Sequence, residues 1–290
     1  MRLKVEMKKV LRTLGFILAV GTVPFLSRWA VCGFRPAKLA FDLPFNSSWK
    51  TMEITPEIQK IFAQPFSYLS HGGQSFVFVS EDGQYTLKLF RCFTRPHPWR
   101  RALRKWVFTK QKLEPKEKGE RLFTAATLAY EKAKDLTGLV ALHLNPSGCA
   151  LPTVRLIDRI GRVYQVDLNR HYFALQIKGI PIRSAFKAAV QEKDRDRFLH
   201  LSRQFVLLLK ERTDRLLSNS DTKVSPNFGF LSEQAIEWDF GNYYIDPKLN
   251  DPVYRKQQAQ IFIDHLQVYL NHIAPDWADE AKEIFRETLL

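Results

Sequence analysis

Short hydrophobic runs rich in aromatic and β-branched residues fill positions 66–90. The sequences His-Gly-Gly and Glu-Asp-Gly separate three such runs, and these turn residues predict a meander of two hairpins. Further strands are predicted at 154–158, 163–166 and 172–177, with a glycine turn between the first two. The pattern therefore predicts a β-rich first half of the body of the protein.

Helical periodicity dominates the second half of the chain. In residues 194–218, apolar side chains recur at steps of three or four, which predicts a long amphipathic helix. Two more helices are predicted at 252–273 and 276–288. An earlier helix is predicted at 119–137, where Gly138 is a suitable C-terminal cap.

A short hairpin is predicted between the long helix and the last two helices. The hydrophobic runs 228–231 and 235–238 are joined by a polar Ser-Glu-Gln turn. Asn227 precedes the first run and Asp239 follows the second, so the hairpin brings both to one end. Amide and carboxylate oxygens are ligands that suit magnesium. The hairpin is therefore a candidate magnesium site.

The N-terminal segment, residues 1–34, has two possible interpretations. Residues 13–27 form an uncharged, mostly apolar run after a basic start, and 15 residues fall short of the roughly 20 that a spanning helix needs. Residues 1–34 are either a secretory signal or membrane anchor, or an apolar helix packed on the body. Localisation is accordingly membrane-associated or exported, and otherwise cytoplasmic. Residues 35–65 contain four prolines and are predicted to be a linker with one short helix at 56–62.

Positive charge is concentrated in two segments. Of the formal net charge of +14, residues 1–12 contribute +4 and residues 91–121 contribute +8. Anionic partners are expected to meet these segments first. No nucleic-acid motif accompanies them, so nucleic acid is not an expected partner. The three cysteines are widely spaced and form neither a disulfide framework nor a metal-binding pattern.

The second basic segment has its own helical pattern. In residues 96–112, Trp99 and Trp106 fall on one face of a helix, and most of the arginines fall on the other. Such a helix can lie on an anionic membrane surface. The alternative is that the tryptophans dock on the sheet and the charges face solvent.

Candidate phosphate-binding residues occur in the β-rich region. The Gly72-Gly73 turn can approach phosphate oxygens closely, and Ser75 adds a hydrogen-bond donor. Lys88 lies in an apolar strand, where it is either an outward-facing charge or held beneath a bound phosphate. Glu120 and Glu131 lie three turns apart on the helix at 119–137, and either could reach Lys88 if that helix packs beside the sheet.

The order of these elements from about residue 66 to 273 resembles the protein-kinase-like superfamily. The resemblance implies an α+β fold with two lobes and with ATP and Mg²⁺ bound between them. The β-rich N-lobe would span 66–178, with a basic helical insertion at 96–118. The reduced helical C-lobe, at 179–290, would carry the catalytic and metal loops.

The resemblance also implies a role for each candidate residue of the N-lobe. Gly72, Gly73 and Ser75 would match the glycine-rich loop over the phosphates. Lys88 would match the lysine that holds the α- and β-phosphates. Glu131 would match its ion-pair partner, with Glu120 as the alternative.

In the C-lobe, Asp221 would match the catalytic base and Lys223 the loop lysine that steadies the transferred phosphoryl group. Asp214, on the preceding helix, competes with Asp221 for the role of base. Asn227 and Asp239, which begins an Asp-Phe-Gly triplet, would match the metal ligands.

Several departures from the superfamily pattern limit the kind of kinase that we expect. No His-Arg precedes Asp221, and Asn227 follows it by six positions where the superfamily usually has five. The full Gly-x-Gly-x-x-Gly pattern is missing, and the 49 residues after Gly241 contain no Ala-Pro-Glu. We therefore expect an atypical ATP- and Mg²⁺-dependent kinase that acts on an unknown protein or small-molecule acceptor. The alternative is an inactive, pseudokinase-like scaffold that binds a partner or an anionic membrane surface.

Overall fold

The computed structural model describes residues 13–16, 20–23, 26, 29–39, 43–51, 55–91, 115–145 and 151–289. Within these ranges the chain adopts a mixed α+β fold, in which a curled sheet forms a half-barrel and helices pack against it. This architecture is compatible with two lobes. The helix predicted at 96–112, with Trp99 and Trp106, lies outside the described residues.

A seven-stranded sheet, in the order β4-β7-β3-β2-β1-β5-β6, forms the β-rich part. Its strands are β1 Phe66–His71, β2 Ser75–Ser80, β3 Tyr85–Phe90, β4 Leu139–His143, β5 Thr153–Ile157, β6 Val163–Asp167 and β7 Phe173–Ile177. The pairings are antiparallel except for β1 with β5. The meander predicted at 66–90 is confirmed, and Gly83 adopts the left-handed φ of 71° that its turn requires.

Helices supply most of the remaining structure. The helices of the body are α1 Pro56–Ala63, α2 Pro115–Lys132, α3 Lys134–Thr137, α4 Ile182–Gln191, α5 Arg195–Asp214, α6 Val224–Asn227, α7 Pro252–Ile273 and α8 Pro275–Leu289. Gly138 ends α3 with a φ of 65°, as expected for a left-handed C-cap. Helix α5 ends four residues before its predicted end, because Leu216 takes a φ of 57° and the next residue starts a strand.

Two small sheets bring the candidate loops together. Strands β10 Phe228–Leu231 and β11 Gln234–Glu237 form the predicted hairpin, with Phe228 opposite Glu237. Strand β8 Ile180–Pro181 pairs with β10. Strand β9 Leu217–Asn219 pairs with β12 Tyr243–Ile245. Since β9 leads into the loop after residue 219 and β12 follows the Asp-Phe-Gly, the second pairing places the two loops side by side.

Two hydrophobic cores support this arrangement. One lies on the sheet around Phe76 and Phe78, and the other joins α2 to the C-terminal helices. The segment at 35–65, predicted to be a linker, contributes to both. The rings of Trp49 and Phe123 pack edge to face at 5.0 Å, and the predicted short helix is confirmed as α1. This segment therefore packs with the body where it is described.

The described residues of the N-terminal segment are helical at 13–16, 20–23 and 29–30. Phe16, Val20 and Val23 are exposed there, whereas Val31 and Phe34 are buried. In the part of the chain that the structure describes, no helix is both long and apolar enough to cross a bilayer.

Candidate functional site

Lys88 meets the Asp-Phe-Gly segment directly. It lies in the middle of β3, opposite Ala174 of β7. Its Nζ donates a 2.6 Å hydrogen bond to the carbonyl oxygen of Trp238, 150 positions away in sequence, and lies 5.2 Å from the centre of the Phe240 ring. Burial lowers the pKa of the Lys88 ammonium group, and the negative charge of Asp239 acts in the opposite direction. The strand lysine is therefore held against the backbone of the Asp-Phe-Gly segment.

Gln176 of β7 supports the same carbonyl. Its Nε2 donates to the carbonyl oxygen of Thr137 at 2.8 Å and to that of Trp238 at 3.3 Å. The carbonyl of Trp238 therefore accepts hydrogen bonds from two neighbouring strands of the large sheet. These two hydrogen bonds hold the backbone immediately before Asp239 in place.

Asn227 and Asp239 lie together at one end of the β10–β11 hairpin. The carbonyl oxygen of Asn227 accepts from the backbone N–H of Trp238 at 3.0 Å and, weakly, from that of Asp239 at 3.5 Å. Asn227 is buried, and its Nδ2 has no hydrogen-bond partner among the described atoms. The oxygen and nitrogen of a carboxamide exchange places by a simple flip. The unpartnered position can therefore present an oxygen to a cation.

These two side chains suit Mg²⁺, which accepts a few protein oxygens and keeps the rest of its shell for phosphate and water. The ranges that the structure describes contain no group of three or more His, Cys, Asp or Glu side chains that could hold a metal. Asn227 and Asp239 are therefore the two side-chain ligand candidates at this hairpin.

A buried polar network lies beneath the hairpin. Arg212 of α5 and Glu237 of β11 form a 2.7 Å ion pair whose side chains are 1% and 0% exposed. Glu237 also accepts from Asn219 at 2.7 Å and from the hydroxyl of Tyr243 at 2.8 Å. Burial, followed by the charge of Glu237, raises the pKa of Tyr243, which therefore stays a donor. A buried charge is tolerated when it is paired and hydrogen-bonded in this way.

Asn219 connects this network to both loops. Its Nδ2 donates to the carbonyl oxygen of Asp239 at 3.1 Å, and its Oδ1 accepts from the backbone N–H of Asp221 at 2.9 Å. One carboxamide thus fixes the distance between the predicted catalytic loop and the predicted metal loop. Asn219 occupies the position where the expected His-Arg is missing.

The sequence offered one usable signal for this network. Arg212 falls on the apolar face of α5, one turn beyond Leu208 and Leu209. A charge on the buried face of a helix requires a buried partner. The partner itself lies on β11, and only the folded chain identifies it as Glu237.

Asp221 and Asp214, the two candidates for the base, have different surroundings. Asp221 is half-buried in the loop after β9, and its Oδ1 accepts from the backbone N–H of Lys223 at 3.2 Å. Asp214 forms an ion pair with Arg255 at the end of α5. Asn219 links the backbone of Asp221 to the Asp239 loop, whereas the carboxylate of Asp214 faces Arg255.

Glu131 is not the partner of Lys88 in this structure. It pairs with Lys50 at 3.8 Å, and its side chain is 47% exposed. Glu120, the alternative, lies 3.9 Å from Lys116 on the same helix. The face of α2 turned towards the core carries small apolar residues such as Ala126 and Ala129. Glu131 comes two positions after Ala129, a rotation of about 200° that directs it to the outside.

Gln74, the residue after the Gly72-Gly73 turn, packs against the Asp-Phe-Gly segment. A methyl group added at Gly241 would come within 2.2 Å of Gln74 Oε1, so Gln74 contacts that backbone closely. A methyl group at Gly72 or Gly73 would meet nothing within 4 Å, so neither glycine is required by close packing here. Ser75 starts β2 opposite Phe90. Gln74, Lys88 and the two ligand candidates therefore all lie near the Asp-Phe-Gly segment.

We compared the chain with known proteins. No protein-family model and no curated protein sequence matches it. Among solved structures, the chain shows only a low level of similarity to those that match it.

Two of these similar structures are of the protein WbdD. A 2.2 Å crystal structure of WbdD is 17% identical, with a TM-score of 0.35, and the match covers 74% of this chain and 43% of that one. A second structure, described as the bifunctional kinase-methyltransferase WbdD, is 16% identical with a TM-score of 0.36, covering 77% and 46%. The chain thus spans less than half of either structure. At these scores the likeness carries no argument about activity.

Proposed function

We propose that this protein is an atypical ATP- and Mg²⁺-dependent phosphotransferase with a kinase-like two-lobed arrangement. The main observation in support is the 2.6 Å hydrogen bond from Lys88 Nζ to the carbonyl oxygen of Trp238, the residue just before Asp239. A lysine from the centre of a sheet next to a carboxylate and an amide suits a triphosphate and its cation.

In this proposal the nucleotide phosphates lie between the Gly72-Gly73 turn and the Asp-Phe-Gly segment. Lys88 binds phosphate oxygens, and its charge stabilises the negative charge that develops during transfer. Mg²⁺, when bound through Asn227 and Asp239, supplies further neutralisation of that charge. Asp221 accepts the proton of the acceptor hydroxyl.

The setting of Lys88 distinguishes this site from the arrangement that the resemblance implies. The Trp238 carbonyl orients the ammonium group, and Asp239 supplies the nearest opposing charge that affects it. Glu131 is directed elsewhere, to Lys50. The site is therefore expected to function without a glutamate from α2.

A thermal-shift titration with Mg-ATP tests the proposal. We expect the wild-type protein to be stabilised by ATP only when Mg²⁺ is present, because ligand binding to the folded state raises its stability. Asp239→Asn keeps the shape of the side chain but removes the charge, and it should abolish the effect. Asp279→Asn, at an exposed position on α8, is the matched control and should behave as the wild type.

A second candidate function is a catalytically inactive scaffold at an anionic membrane surface. Exposed Phe16, Val20 and Val23 in the N-terminal segment favour it, together with the basic residues of the sequence at 1–12. Flotation with vesicles containing phosphatidylserine tests this function. The scaffold is supported if the protein floats and shows no Mg-ATP stabilisation, and it is excluded if the protein does not float.

A further inference from the structure

A cavity of about 330 Å³ lies beside the predicted catalytic loop. It is bounded by the start of α4, by residues 223–226 and by one face of α7. Ile182, Val224 and Leu266 contribute apolar walls. Its volume is at the lower end of the range for small-molecule sites. The cavity therefore has the size and position of a site for a small acceptor next to Asp221.

The ionisable nitrogen groups of the cavity are basic, and they are accompanied by the hydroxyls of Ser225 and Tyr269. Arg183, Lys223 and His265 line it, and none of its lining residues is acidic. Within the described ranges, neither Arg183 nor Lys223 takes part in an ion pair. Cations without a protein counter-ion, arranged around a concave apolar surface, favour an anionic ligand.

Three contacts hold two of the basic groups, Arg183 and His265, in place. The guanidinium carbon of Arg183 lies 4.7 Å from the centre of the Tyr269 ring, whose hydroxyl donates to the Arg183 carbonyl at 3.1 Å. His265 Nδ1 lies 2.8 Å from the carbonyl oxygen of Thr222. Because a carbonyl only accepts, Nδ1 carries the proton. The ring of Tyr269 thus positions the Arg183 guanidinium, a planar fork that can bind a carboxylate or a phosphate.

We propose that this cavity binds the phosphate acceptor, and that the acceptor is a hydroxyl compound with an apolar body and an anionic group, either carboxylate or phosphate. This inference rests on the proposed phosphotransferase function. In the step it implies, the acceptor oxygen forms a bond to the γ-phosphorus of ATP while the bond to the β-phosphate oxygen breaks. ADP leaves with that electron pair, and the hydroxyl proton passes to Asp221.

Isothermal titration calorimetry with three matched probes tests the anion preference. The probes are phenyl β-D-glucoside, which is uncharged, phenyl β-D-glucuronide, and phenyl β-D-glucoside 6-phosphate. We expect at least one anionic probe to bind about 10-fold more tightly than the glucoside, the size of one charge-assisted hydrogen bond. The tighter of the two anionic probes identifies the anionic group.

A pair of variants on α4 locates the site. Arg183→Ala should remove the preference for the anionic probe, whereas Lys187→Ala, an exposed position one turn further on, should retain it. The proposal is overturned if all three probes bind equally, or if the two variants have the same effect.

Mg-ATP titrations and an ADP-release assay separate this inference from the proposed function. If Mg-ATP stabilises the protein and no anion preference is seen, the acceptor inference alone fails. If the anionic probe binds and Mg-ATP has no effect, the phosphotransferase proposal fails and the acceptor role fails with it. Supporting results are selective binding that depends on Arg183 together with faster ADP release in the presence of the anionic probe.

Discussion

Replacing Asn219 with alanine should uncouple the two loops of the candidate site. The side chain donates to Glu237 and to the carbonyl of Asp239, and it accepts from the backbone N–H of Asp221. A hydrogen bond to a charged group contributes about 1.5–3 kcal/mol and each of the two neutral ones about 1 kcal/mol, so we expect a loss of about 4 kcal/mol in the free energy of unfolding. At about 2–4 °C per kcal/mol for chains somewhat shorter than this one, Tm should fall by about 8–16 °C.

The chain offers a matched control for this experiment in Asn145. Its carboxamide also makes three bonds, to the backbone of Asn46 at 3.0 and 2.9 Å and of Trp49 at 2.8 Å, and these partners lie in the predicted linker. Asn145→Ala should lower stability by a similar amount in urea unfolding. The two variants should differ in the Mg-ATP thermal shift, which only Asn219→Ala should lose. Retention of the full Mg-ATP shift by Asn219→Ala would refute the coupling.

Three further predictions concern the stability of the fold. Arg212→Met should lower the free energy of unfolding in urea by about 3–5 kcal/mol, because it leaves the charge of Glu237 buried without its partner. The double variant with Glu237→Leu should recover part of this loss. A double variant as unstable as Arg212→Met would contradict the pairing. Trp49→Ala should lower the free energy of unfolding by about 3–5 kcal/mol, because the indole is buried against α2. A loss below about 1 kcal/mol would show that the segment at 35–65 is not part of the core. Burial lowers the pKa of His143, and a bond with the carbonyl of His171 opposes this. The unfolded state therefore binds more protons below about pH 6.5, so stability falls as the pH falls through this range. His143→Gln should reduce that fall in urea unfolding, and an unchanged pH dependence would contradict it.

The sequence predicted the parts of the fold that depend on local patterns. The meander at 66–90 and the hairpin after Asn227 follow from turn residues between hydrophobic runs, and both are confirmed. Both features depend on neighbours in sequence. The nearness of Lys88 to Asp239 was implied only by the resemblance, since the strand pattern left Lys88 either facing outwards or beneath a phosphate.

The parts that the sequence did not predict depend on contacts between distant elements. The partner of Lys88 was expected to be Glu131, but the small residues of α2 form the buried face and turn that glutamate outwards. The role of Asn219 depends on the pairing of β9 with β12 and on a carboxylate 18 positions away. Neither the pairing of β9 with β12 nor the burial of that carboxylate on β11 has a local signature in the sequence.

The most direct test of the phosphotransferase proposal is isothermal titration calorimetry of ATP with and without Mg²⁺. The wild-type protein should bind ATP in a Mg²⁺-dependent manner, and Lys88→Met should not bind. Lys50→Met, which removes the partner of Glu131, should bind as the wild type does, because that pair lies on the outside of α2. The proposal is contradicted if the wild-type protein shows no Mg²⁺-dependent binding, or if Lys88→Met binds ATP as tightly as the wild type.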